Sequence, residues 1–163
     1  MMINKAHQFL DKIFAQLKAN QIELVDWPID HLCYRTSSLD NYKEMKKVFS
    51  QLGVKLVESD VNGRAIATYK LHKPINYKNY VIPLIEVPAP KAGRFTAEGF
   101  EHIEVVIDID FPELMRLYPH CQFEKKAMYK KLNPELEIEF GDCAVKFHHQ
   151  SLEEIIRIEQ SLK

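Results

Sequence analysis

The sequence has no GxGxxG or GxxxxGK stretch, so neither a dinucleotide-binding turn nor a phosphate-cradling loop is signalled. CxxC pairs are missing as well. Cys33, Cys121 and Cys143 stand far apart and are odd in number, which reads as reduced thiols in a cytoplasmic protein. Lysines and an aspartate interrupt the apolar pattern of residues 1–20, so this segment is neither a signal peptide nor a membrane span. An excess of charge is also lacking. The 22 basic and 23 acidic residues nearly cancel, to a net −1, and no long like-charge block occurs. That balance argues against nucleic-acid and membrane partners and leaves a small-molecule ligand as the expected one, with the oligomeric state open.

What is present is an ordinary globular composition, 46% hydrophobic and 28% charged. A chain of 163 residues fits one domain, able to bury ~68–70% of its unfolded surface. Phe9, Leu10, Ile13, Phe14 and Leu17 fall at helical spacing over residues 3–19. Strands are expected over 30–36, 54–61, 65–71 and 80–87. A helix from Leu39 to Leu52 follows the first of them, capped at Thr36-Ser37-Ser38 and stopped by Gly53. Asn62-Gly63 is a hairpin signal. The same order recurs afterwards: a strand over 100–108, a short helix over 111–117, and strands over 123–129, 136–140 and 143–148. A terminal helix then begins at Ser151 with Glu154 at capping-box spacing. The predicted class is therefore α+β: two βαβββ modules forming a half-open barrel, with added N- and C-terminal helices. The expected divisions of the single domain 1–163 are 1–24, 25–91, 98–150 and 151–163. An undivided α+β sandwich is the competing architecture.

The chemistry lies in two similar phrases. Asp30-His31-Leu32 opens one strand and Glu101-His102-Ile103-Glu104-Val105 another, while Glu86 interrupts the apolar run Ile85-Glu86-Val87-Pro88. Two histidines and a carboxylate are donors that hold a divalent ion and leave positions open for water and substrate. An ionised carboxylate in an apolar run is costly to bury without a partner. By strand parity His31 shares a face with Arg35, and His102 shares one with Glu104. Glu104 is thus a candidate base and Arg35 a candidate anion clamp.

With these motifs in this order, residues 25–150 resemble the vicinal oxygen chelate superfamily, the glyoxalase, bleomycin-resistance and dioxygenase proteins, and within it the YecM family. The resemblance implies a curved barrel around a divalent metal, with ligands from the first and fourth strand of each module. It transfers the ligand role to His31, Glu86 and His102. Lys146 stands where a fourth ligand is expected, and a protonated ammonium has no lone pair to give. Glu139 and His148 are the possible replacements. Zinc is the expected metal, with manganese, iron and nickel as other candidates. The implied activity is that of an isomerase, lyase or dioxygenase on a small oxygen-rich metabolite. The alternative is a non-catalytic module that binds a metal or metabolite in the same cleft.

Overall fold

Leu32, Tyr34, Ile85, Val87, Ile103, Val105, Val145 and Phe147 are buried at alternate positions along four strands. Period-two burial of this kind gives a sheet one apolar face, and that face is where the main core forms. The computed structural model describes residues 1–163 except Val25, so the expected start of the first module at position 25 lies outside the described residues. In chain order the elements are α1 (Met2–Ala19), β1 (Ile29–Arg35), α2 (Leu39–Leu52), β2 (Gly53–Val61), β3 (Arg64–Tyr77) and β4 (Tyr80–Pro88). Then come β5 (Gly99–Val106), α3 (Phe111–Leu117), β6 (Phe123–Glu124), β7 (Leu136–Phe140), β8 (Cys143–His148) and α4 (Leu152–Ser161). The order βαβββ therefore occurs twice.

Among the described residues the eight strands join one open, curled sheet in the order β2-β3-β4-β1-β5-β8-β7-β6. Counted outward from the centre, each half runs first, fourth, third, second strand. β1 pairs parallel with β4 and β5 parallel with β8, while β1 and β5 meet antiparallel at the seam. A single sheet replaces the two facing sheets that a sandwich would need. Helix α1 buries Ala6, Phe9, Leu10, Ile13 and Leu17 against β3, β5 and β8, and α2 packs on β2, β3 and β4. The larger of these side chains, Phe9, Leu10, Ile13 and Leu17, each contribute about 1.5–3 kcal/mol on full burial. Among the described residues no helix is long and apolar enough to cross a membrane.

Local chemistry sets the boundaries. Ser38 accepts a hydrogen bond from Asn41 N at 3.0 Å, and Ser151 accepts one from Glu154 N at 3.2 Å. Asn62 and Gly63 both take positive φ, 54° and 82°, as a tight primed hairpin turn requires. Two expectations need correction. β3 runs on to Tyr77 instead of ending near Leu71, because a register shift between Lys70 and Ile75 absorbs Pro74. The expected strand over 123–129 pairs only at Phe123 and Glu124. Beyond them the lysine-rich run turns, with Met128 N donating to Lys125 O and Glu135 N to Ala127 O, both at 3.0 Å.

Gly53 matters for closeness of approach. It ends α2 in extended conformation, and a Cβ there would lie 2.3 Å from the Lys70 carbonyl oxygen. Gly53→Ala should therefore force the α2–β2 junction away from β3 and lower the unfolding free energy by about 1–3 kcal/mol. Urea denaturation checks this; an unchanged midpoint would mean that the junction yields without cost.

Candidate metal centre

The face of the sheet opposite the main core is polar at its centre. Alternation puts His31 and Cys33 of β1, His102 and Glu104 of β5, Glu86 of β4, and Lys146 and His148 of β8 on this side. His31, His102 and His148 are only 1%, 2% and 4% exposed, so each needs a partner other than bulk water.

Two of those partners come from an irregularity in the seam. In a regular strand neighbouring side chains point to opposite faces, so an acid next to a histidine could not reach its ring. Between the pairs Ile29–Val105 and His31–Glu104, β1 takes one residue more than β5, and that extra residue is Asp30. Between Cys33–His102 and Tyr34–Phe100, β5 takes the extra residue, Glu101. A bulge of this kind re-aims a side chain. His31 Nδ1 donates to Asp30 at 2.8 Å, and His102 Nδ1 donates to Glu101 at 2.5 Å. Each carboxylate is held in turn. Leu152 N, at the start of α4, donates to Asp30 at 2.9 Å, and Arg35 Nε donates to Glu101 at 3.0 Å. With burial working against it, contact with His102 and Arg35 still brings the Glu101 pKa down to about 2.

With Nδ1 fixed, Nε2 of each ring faces the middle of the site. His31 Nε2 and His102 Nε2 both lie 3.3 Å from the same oxygen, Glu104 Oε1, and neither has a hydrogen-bond partner among the described residues. Donors held ~2.0–2.2 Å from one ion, at octahedral or tetrahedral angles, are themselves about 3.0–3.5 Å apart. The spacing is compatible with all three atoms facing one ion. Electrostatics agree. Burial pulls both imidazole pKa values down, but Glu104, Asp30 and Glu86 around His31, and Cys33, Glu101 and Glu104 around His102, hold them well above the usual value. Glu104 is raised by burial yet kept well below the ordinary carboxylate range by His31 and His148. The pocket calls for positive charge, which protons or a divalent cation can supply.

The other expected residues fall at graded distances. Glu86 Oε2 is 3.8 Å from His31 Nε2 and lies outside the compact His31–His102–Glu104 group. His148 comes in: its Nε2 is 2.7 Å from Glu104 Oε2, in a second group completed by Glu135. Glu139 does not join these groups; its side chain is exposed opposite Ala144, beside the β7–β8 turn. Lys146 sits on the site face, 3.2 Å from Glu135. Burial lowers its pKa, but Glu104 and Glu135 outweigh that and keep it an ammonium. Arg35, Glu86, Glu104, Glu135, Lys146 and His148 all line one cleft of about 860 Å³. The sequence reading missed Glu135 and the orienting role of Asp30 and Glu101. The signal for the latter pair was the repeated acid–histidine dipeptide itself.

A twice-repeated βαβββ unit, joined through first strands around a polar centre, defines a protein of the vicinal oxygen chelate fold. Solved structures share it. A methylmalonyl-CoA epimerase variant from Streptomyces coelicolor, in complex with 2-nitronate-propionyl-CoA, superposes with a TM-score of 0.53 at 12% identity. It covers 74% of this chain and 95% of its own. The YecM protein family model matches residues 1–132, and the chain belongs to that family. Protein YecM of Escherichia coli (strain K12) is 30% identical over 93% of this chain and 87% of its own length. The structure of protein EC4020 matches with a TM-score of 0.81 at 27% identity, covering 94% of this chain and 88% of its own.

Asp30→Ala and Glu101→Ala should each cost about 1.5–3 kcal/mol of stability, the usual worth of a hydrogen bond to a charged group. Each should also remove one strongly deshielded imidazole N–H proton from the NMR spectrum, His31's in the first variant and His102's in the second. Retention of both signals in either variant would refute the pairing.

Proposed function

We propose that the protein is a metal-dependent enzyme that moves a proton on a small, oxygen-rich molecule, an isomerase or lyase in class. His31, His102 and Glu104 hold the ion, and Glu86 serves as the proton-transfer group. The reading is carried by the two buried, unpartnered Nε2 atoms that share one carboxylate oxygen at 3.3 Å. It exchanges the expected roles of the two glutamates: Glu104 is the carboxylate nearer both rings, and Glu86 is more open to the cleft, its side chain 18% exposed.

A divalent ion in this setting supplies Lewis acidity toward substrate oxygens, and zinc, manganese, iron(II) and nickel all suit the donors. The protein's own groups do the rest. Asp30 and Glu101 fix the two rings so that their Nε2 atoms converge. Glu86, on the wall beside them, takes a proton from the substrate and returns it. Arg35 uses Nε on Glu101, which leaves its terminal amino groups for an anionic substrate oxygen. Lys146 stays charged beside Glu135 and adds positive potential over the cleft.

Elemental analysis of untagged protein tests the metal. Wild type and Glu86→Gln should retain a stoichiometric divalent ion, while His102→Ala and Glu104→Gln lose it. Equal metal in wild type and His102→Ala would end the reading. Loss from Glu86→Gln alone would return the ligand role to Glu86. Incubating metal-loaded protein with a metabolite panel then tests turnover, which Glu86→Gln should slow by about 10²–10⁴-fold, the range for a lost acid–base group. Saturable binding without consumption would instead establish the binding module.

A further inference from the structure

The cleft beside the histidines carries a charge pattern that the metal site does not use. Six cations line it: Arg35, Arg64, Lys91, Arg94, Lys130 and Lys146. Three are matched within the protein, Arg35 by Glu101 and both Lys130 and Lys146 by Glu135. Arg64, Lys91 and Arg94 form no ion pair among the described residues. In a chain of net charge −1, three unmatched cations on one wall are a local concentration that self-repulsion opposes. Lys91 and Arg64 register it. Burial lowers the pKa of each, and neighbouring cations lower it further, Arg64, Arg35 and Arg94 acting on Lys91, and Arg35 on Arg64.

Their placement is held by the fold. Arg64 begins β3 directly after the Asn62-Gly63 turn, and Lys91 and Arg94 lie in the segment between β4 and β5. That segment is anchored where it leaves the sheet, since Ala89 N donates to Ala65 O at 2.8 Å and Arg64 Nη1 reaches Ala89 O at 3.5 Å. Beside these cations and the acidic and histidine groups of the site, the cleft also presents an apolar stretch, Leu152, Ile155 and Ile156 of α4 together with Val57 and Ile66. Its volume, about 860 Å³, suits a metabolite of ordinary size.

We propose that Arg64, Lys91 and Arg94 form a phosphate subsite, so that the ligand of this cleft is an organic phosphate with an apolar body between its phosphate and its oxygenated end. Phosphate is favoured over carboxylate by charge and donor number. Two guanidinium forks and an ammonium match a dianion with three acceptor oxygens, whereas a carboxylate saturates a single fork. The proposal rests on the metal-site reading only for where the oxygenated end lies; the subsite itself does not depend on a bound ion.

Calorimetric titration of the intact 163-residue chain with phenyl phosphate, benzoate and phenol tests it. Phenyl phosphate should bind saturably, at least about tenfold more tightly than benzoate, with phenol weaker still. Arg64→Ala/Arg94→Ala should weaken phenyl phosphate by at least about tenfold with metal content unchanged. Lys43→Ala/Lys47→Ala, which removes exposed lysines on α2, should change nothing. His102→Ala should leave phenyl phosphate binding intact whatever its metal content. No saturable binding, equal affinity for the three probes, or an unaffected arginine double variant would overturn the subsite. Binding lost in His102→Ala but kept in the arginine variant would assign the phosphate to the metal instead, and would also overturn it.

Discussion

Two bulged residues in the β1–β5 seam decide what the centre of this molecule can be. Asp30 and Glu101 are the supernumerary residues of their strands, and each turns its carboxylate onto the Nδ1 of the histidine that follows it. The seam is where the two halves of the sheet join. The irregularity that orients the rings is thus built into the contact that unites the modules. Buried imidazoles without such partners would be costly, because polar groups taken out of water need replacement hydrogen bonds. With them, one nitrogen of each ring is satisfied and the other is left facing Glu104. Orienting carboxylates of this sort are the usual outer shell of a metal-ligating histidine.

Around that seam the charges alternate in sign. Asp30, His31, Glu104, His102, Glu101 and Arg35 follow one another through contacts of 2.5 to 3.3 Å. A second run, His148, Glu135 and Lys146, meets the first at Glu104. Buried charge is tolerated when neighbours compensate it, and a network of this kind gains more from orientation than from any single pair. Lys146 gives the duplicated site its asymmetry. The corresponding strand of the first half, β4, offers Glu86, whereas β8 offers an ammonium engaged by Glu135. Potential donors therefore collect around the seam, and cations collect on the cleft beside them.

Much of this was legible in the sequence, and the parts that were not share a cause. The strand order, both helix caps and the Asn62-Gly63 turn are local, set by period, side-chain oxygens and positive φ. That His31 and His102 lie on corresponding strands of the two modules could be anticipated because a short phrase is repeated. The closeness of Glu104 to both rings could not, because it depends on a cross-strand register displaced by two bulges, and register is a long-range property. Glu139 shares strand parity with Glu137, but parity fixes a face and not a position along it, and its side chain ends beside a turn. The strand expected over 123–129 stops after Glu124, although Phe123 begins it well. Its partner β7 is only five residues long and, of that stretch, pairs with Phe123 and Glu124 alone.

The β6–β7 and β4–β5 connections both contribute to the cleft wall. Lys130, Leu132, Asn133 and Glu135 come from the first, and Lys91 and Arg94 from the second. Strands set the ring nitrogens because a ladder fixes position to a fraction of an ångström. Connections set what can lie beside them, and they vary without disturbing the ladder. A fold shared at 12% identity with an epimerase can therefore preserve the architecture while leaving the ligand unspecified. In this chain the residues beside the ring nitrogens are those on the cleft wall. The unmatched cations there are what the proposed phosphate subsite rests on.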